Sequence, residues 1–253
     1  MWALGSLEEA GFVRFLAAEL GLSPANIVSW DAMVHDTTPA TLLGRDDEFI
    51  SSGRIDNLVS CWAATTALIQ QVGAGASKSG VPVICLFDHE EVGSESASGA
   101  AGSILPIILE RISLAAGHDR ESFLRALAAS RCVSADGAHA THPNYADRHE
   151  PNHQIALNAG PVVKHNANVR YATDAPSSAW FTLAAKRAGV PVQEFVVRTD
   201  LPCGSTIGPI TAAKLGIPTV DVGIAQLSMH SAREICGAED PSLFVRALTA
   251  CLD

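Results

Sequence analysis

The chain has 253 residues, 47% of them hydrophobic, enough for one large core or two modest ones. Its formal net charge of −10 argues against nucleic acid or an anionic membrane as partner, since both reward clustered Lys and Arg. No apolar stretch approaches the roughly 20 residues that span a bilayer, and no signal peptide is evident at the N-terminus.

Ser6-Leu7-Glu8-Glu9 is a capping-box pattern, and the apolar spacing from Leu7 to Leu20 predicts an amphipathic helix ended by Gly21. Leu22 to Gly44, with Pro24, Pro39 and several Asp and Thr, reads as strand and loop. A helix is predicted from Leu58 to Ile69, followed by a Gly/Ala/Ser link up to Gly80 and an apolar strand, Val81–Phe87. Two more helices follow, Ile104 to Ala116 and Arg120 to Ala129. A short strand, Cys132–Ala135, then leads into a His- and Asn-rich loop from Asp136 to His153. Further on, Ala179–Ala188 reads as helix, Val192–Val197 as extended, Ile210–Leu215 as helix and Pro218–Val222 as extended. Pro241 to Leu252 closes as a helix with Pro in its first turn.

Strands alternating with amphipathic helices predict an α/β fold, a three-layer domain with a largely parallel central sheet. One domain over residues 1–253 is the simplest organisation, and ligands in such sheets sit at the carboxyl ends of strands. The six cysteines (Cys61, Cys85, Cys132, Cys203, Cys236, Cys251) form no CxxC pair and read as reduced core residues of a cytoplasmic protein.

The chemistry concentrates where the predicted Val81–Phe87 strand ends, in Asp88-His89-Glu90-Glu91-Val92-Gly93-Ser94. Charged groups are rarely buried unless paired or bound to metal, so two adjacent glutamates at a strand end are poorly explained by a core. One carboxylate of such a pair can hold a metal while its neighbour takes a proton from water. A solvated acidic loop is the plain alternative. Asp56, Asp136 and His230 also fall near strand ends or in loops. Singly, Asp56 reads as a helix N-cap, Asp136 as a turn residue and His230 as a hydrogen-bonded structural His. Together with Glu91 they form a carboxylate and imidazole set that suits Zn²⁺ or Mn²⁺. There is no HExxH, no GxSxG and no Walker A sequence.

The ordered motifs Gly53-Arg54-Ile55-Asp56-Asn57, Leu86 to Ser94, and Ser134-Ala135-Asp136-Gly137-Ala138-His139 resemble the M18 metalloaminopeptidases, the aspartyl aminopeptidases. The match continues through Asn158 to Lys164, Asn168 to Thr173, Asp200 to Pro209 and Ser228-Met229-His230-Ser231. The resemblance implies a zinc-peptidase-like fold and two Zn²⁺ ions bridged by a carboxylate and a water, with Mn²⁺ or Co²⁺ as alternatives. It implies Asp56 as the bridging ligand, Glu91 and His230 as ligands of one ion, and Asp136 as a ligand of the other. Glu90 matches the general base, and His139, Lys164 and Tyr171, with Glu90 and Asp136, match positions that meet the substrate. Taken without the resemblance, Lys164 reads as a solvated ammonium, and Tyr171 reads equally well as a core aromatic. His142, His149 and His153 are expected to order their loop.

The implied activity is release of N-terminal residues, Asp or Glu, from peptide substrates by a homo-oligomeric enzyme. Two departures stand out. Gly137 occupies a position where the family has Met, which predicts a missing side chain beside Asp136. The family's His ligand to the second metal has no match here, nor does its inserted dimerisation domain, and His35 does not fit the pattern. The expectation is a catalytic portion that holds one metal well and one poorly, with one sheet edge or core face uncovered. The alternative is a weak or inactive homologue that serves as a binding or assembly subunit.

Overall fold

The computed structural model describes residues 9–75 and 80–253. Residues 6–8 of the capping-box pattern and residues 76–79 of the Gly/Ala/Ser link therefore lie outside the described residues. The chain divides into two compact units, the first ending at Asp36 and the second spanning Thr37–Asp253. In the first, helix α1 (Glu9–Leu20) ends where predicted: Gly21 adopts φ +64°, and the Leu22 N–H donates back to the Ala17 carbonyl. Phe12 of this helix meets Trp30 edge-on, with ring centroids 4.8 Å apart.

The second unit is mixed α/β, with helices and two sheets. Its strands are β1 (Thr41–Leu43), β2 (Phe49–Ser52), β3 (Cys132–Ala135), β4 (Ala138–His139), β5 (Val162–His165), β6 (Gln193–Val196), β7 (Thr219–Gly223), β8 (Ala225–Leu227) and β9 (Glu234–Gly237). One sheet has the order β1-β2-β9-β8-β4 and the other β3-β7-β5-β6. The sheets are partly parallel. Strands β3 and β7, β5 and β6, and β4 and β8 run together, and the remaining pairs are antiparallel.

Helices α2 (Ile55–Gly73), α5 (Ala175–Arg187) and α7 (Asp240–Cys251) supply Ala63, Phe181 and Phe244 to the main core, against Val163, Val220 and Val222 of the second sheet. Strand periodicity sends alternate residues to opposite faces. Val163 accordingly joins this core while Val162 joins a second cluster with Tyr171 and Phe195. Lys164 shares the parity of Val162, which is why a lysine is drawn to the Tyr171 side.

Two neighbouring chain paths pass from one sheet to the other, β3 into β4 through Asp136-Gly137 and β7 into β8 through Ile224. The Asp136 N–H donates to the Val222 carbonyl and the Ala138 N–H to the Ile224 carbonyl, so the paths stay in register across the switch. Gly223 is obligatory there, because a Cβ at that position would lie 1.5 Å from the Asp136 carbonyl oxygen. Asp136 is thus placed by a backbone crossing, at the end of a strand.

Helices α3 (Ile104–Ala115), α4 (Arg120–Ala129) and α6 (Gly208–Leu215) complete the unit, close to their predicted bounds. The Val81–Phe87 strand is a correction. The segment pairs with no neighbour among the described residues, so an apolar run of strand length yields no strand. Its Val81, Val83 and Leu86 are exposed, as are Ile107, Ile108 and Ile112 of α3, a helix with no buried residue.

Candidate metal centre

Asp56, Glu91 and His230 bring one ligand atom each to within 4.8 Å of one another. His230 Nε2 lies 3.2 Å from Asp56 Oδ2 and 3.1 Å from Glu91 Oε2. Ligands ~2.0–2.1 Å from a tetrahedral zinc stand roughly 3.3 Å apart, so these separations suit one ion. The Asp56 side chain is only 5% exposed, whereas those of Glu91 and His230 are 54% and 61% exposed, leaving the cluster open on one side.

Local backbone explains the convergence. Asp56 precedes the regular part of α2, with φ −78° and ψ 114°, and helical geometry resumes after Asn57. It caps nothing: the residue in the cap position is Arg54, in the left-handed region at φ +59°. Glu90–Val92 form a 3₁₀ turn between His89 (φ +64°) and Gly93 (φ +101°). Three residues per turn separate neighbouring side chains by about 120°, so a turn rather than an extended strand end parts Glu90 from Glu91. Glu91 joins the cluster and Glu90 sits half-buried. His230, at φ +65°, occupies the loop between β8 and β9. Left-handed non-glycine residues are uncommon and gather at functional sites.

The electrostatics are those of a site short of positive charge. Asp56 is pushed up to about 8, first by burial, then by Asp136, Glu91 and Glu234. Its Oδ1 is buried without a hydrogen-bond donor. A buried, unpaired carboxylate oxygen is costly unless a cation meets it, so the residues present fit a divalent ion. Glu90 is raised to about 7, first by burial, then by Asp136 and Glu91, with Lys164 and His230 opposing.

Asp136 stands beside this group, with its Oδ1 accepting the Gly137 N–H at 2.8 Å. Lys164 Nζ lies 3.6 Å from Asp136 Oδ2, donates to the Gly137 carbonyl at 3.0 Å and sits 5.2 Å from the Tyr171 ring centroid. Lys164 is buried, so it is not a solvated ammonium. Tyr171 lies in the second core cluster, hydrogen-bonded to Cys203, and burial holds its hydroxyl protonated. His139 closes β4 with an exposed edge. Protein crowding, then His149, Lys164 and His230, lower its pKa. The gap predicted at Gly137 is filled, since a Cβ there would meet Met229 Cε at 3.0 Å and Asp56 Oδ1 at 3.3 Å. His142 and His153 do order their loop through side-chain hydrogen bonds, His142 Nδ1 accepting the Asn144 N–H and His153 pairing with Glu150, whereas His149 pairs with Val197 through its backbone and its Nδ1 is buried without a partner. Sequence reading missed Glu234, whose carboxylate accepts the N–H groups of both Asp56 and His230. The one available signal was a glutamate opening an otherwise apolar strand, Glu234-Ile235-Cys236-Gly237.

Residues 7–251 match the family model described as "Aminopeptidase I zinc metalloprotease (M18)". The "Probable M18 family aminopeptidase 2" of Mycobacterium tuberculosis is 52% identical over 256 residues, which cover all of this chain and 59% of the relative. The Streptomyces coelicolor protein of the same description is 48% identical, again over 59% of its length. The chain therefore spans about three fifths of the length of these curated relatives. Among solved structures, a chain of the Ape4 and Nbr1 complex superposes with a TM-score of 0.89 at 37% identity, covering 98% of this chain and 50% of that one. Yeast aminopeptidase 1 gives 0.83 at 30% identity, covering 95% and 54%. A structure described as the S. cerevisiae mApe1 dodecamer gives 0.84 at 30% identity, covering 95% and 54%.

Proposed function

Because the chain belongs to the M18 family of metallopeptidases, we propose that it is a catalytic domain of an aminopeptidase that removes N-terminal Asp or Glu from peptides. The observation that carries this reading is the convergence of Asp56 Oδ2, Glu91 and His230, with the other oxygen of the Asp56 carboxylate, Oδ1, buried and satisfied by no donor. These three residues would hold a zinc ion, with Mn²⁺ or Co²⁺ as substitutes. The bound ion supplies Lewis acidity that brings water towards ionisation at neutral pH.

Glu90 acts as the base: it takes the proton of the attacking water and returns it to the leaving amine. A carboxyl near 7 is matched to that exchange at neutral pH. Lys164 keeps one of its three N–H donors beyond those directed at Gly137 and Asp136, and offers it to an acidic side chain or a developing oxyanion. His139 and Tyr171, with Glu90 and Asp136, would meet the substrate, as their match to the family's motif positions suggests. Asp136, sharing Asp56, would hold a second ion weakly, since the group of three does not include it and Lys164 already engages its carboxylate. The dodecameric relative supports a homo-oligomer, and six free cysteines fit a reducing, cytoplasmic setting. Among the described residues no helix is long and apolar enough to cross a membrane.

Release from Asp-, Glu- and Leu-anilides with added Zn²⁺, Mn²⁺ or Co²⁺ tests this reading. A hydrogen bond to a charged group is worth ~1.5–3 kcal/mol, so the acidic anilides should be favoured about tenfold or more over Leu. Equal rates on all three would remove the acidic preference. No hydrolysis with any metal would favour the second reading, an assembly subunit, which the exposed apolar residues of 81–86 and α3 support.

A further inference from the structure

Glu234 opens β9 opposite Ser52 of β2, and is 2% exposed. Its Oε2 accepts the Asp56 N–H at 2.8 Å and its Oε1 accepts the His230 N–H at 2.7 Å. One buried carboxylate thus ties together two loops whose residues, Asp56 and His230, lie 174 positions apart in the chain. A buried charge is costly unless partnered, and neither bond belongs to the β2–β9 ladder. The loops also touch directly, since a Cβ on Gly53 would lie 3.1 Å from the Ala232 carbonyl oxygen. Arg54, Ser228 and His230 all adopt left-handed φ between +57° and +65° around this junction. Such conformations persist only where the surroundings over-determine them, and Glu234 supplies that restraint on both sides.

Resting on the metal-centre reading above, we propose that Glu234 is a positioning residue for the metal. It locks the Asp56 carboxylate and the His230 imidazole into one preformed pair of ligands. Outer-shell partners of this kind typically change metal affinity about 10–100-fold.

The test is Co²⁺ titration followed by visible absorption, with metal-free thermal unfolding measured alongside, on the parent chain, Glu234→Ala and Glu234→Gln. The Ala variant frees both loops, and Co²⁺ affinity should fall about 10–100-fold. Gln keeps the volume and one acceptor oxygen but turns its NH₂ towards the other N–H, so it should also bind more weakly, with an altered d–d band. This variant carries the test if Ala does not fold. A merely structural residue would lower the metal-free unfolding temperature and leave affinity and spectrum of the folded protein unchanged; that result overturns the proposal. No Co²⁺ uptake by the parent chain would instead remove the metal-centre reading, and the clamp with it.

Discussion

Replacing Glu90 by Gln is expected to lower turnover about 10²–10⁴-fold, the usual contribution of a positioned proton carrier. Metal uptake and unfolding temperature should stay at parental values, because Glu90 stands outside the group of three and is only half-buried. The amide matches the carboxylate in size but cannot accept the proton of the attacking water. The pH profile carries the same signature. A base works in its deprotonated form, so activity rises as pH passes upward through the Glu90 ionisation, near 7 without metal. A cation nearby favours the carboxylate and moves that limb to lower pH. Steady-state rates across pH 5–9, paired with metal analysis of the same preparations, check both parts. Parental turnover in Glu90→Gln would remove the residue from the chemistry.

Asp56→Asn is expected to act in two opposite directions. Asp56 is raised from 3.8 to about 8, chiefly by burial and then by Asp136, Glu91 and Glu234. Between those pH values the metal-free fold holds a proton that the unfolded chain releases. Its contribution to stability is therefore full below about 4 and lost as pH rises through about 8. Metal binding must displace the same proton, so affinity should climb with pH until about 8 and then level off. Asn cannot ionise. The variant should unfold at a higher temperature than the parent near pH 8 in the presence of a chelator. It should also lose the rise in unfolding temperature that Zn²⁺ gives the parent. Unfolding curves with chelator and with Zn²⁺, at pH 6 and pH 8, measure both effects. A full Zn²⁺ response in the variant would show that Asp56 is not a ligand.

The sequence made much of this architecture legible, and the reasons for the misses are physical. Helices such as Arg120–Ala129 were readable because cap and periodicity are local: the Asp119 side chain accepts the Ser122 N–H at the first turn. Strand Cys132–Ala135 was equally clear as a short apolar run. Val81–Phe87 looked the same, yet it finds no partner among the described residues, because a strand exists only through pairing. The sheets are partly rather than largely parallel because β5 runs against β7 in one and β1, β2, β9 and β8 pair antiparallel in the other, choices made by topology and not by composition. Strands β8 and β9 were missed because each is short and the His230 loop divides them.

At the site, the residue types of Asp56, Glu91 and His230 were readable as metal-competent, whereas their convergence depends on contacts across more than half the chain. The burial of Lys164 was implicit in the alternation Val162-Val163-Lys164, and becomes decisive only once Tyr171 is seen beneath the ammonium. Glu234 was illegible. Its meaning comes from two backbone N–H groups that only the fold brings to it.

The central claim is that Asp56, Glu91 and His230 hold a catalytic metal. Anomalous diffraction at the zinc edge, from crystals grown with Zn²⁺, tests it most directly. The account predicts a strong peak among Asp56 Oδ2, Glu91 Oε2 and His230 Nε2, with at most a weaker one beside Asp136. No peak there, or a strong peak held by other residues, would contradict it.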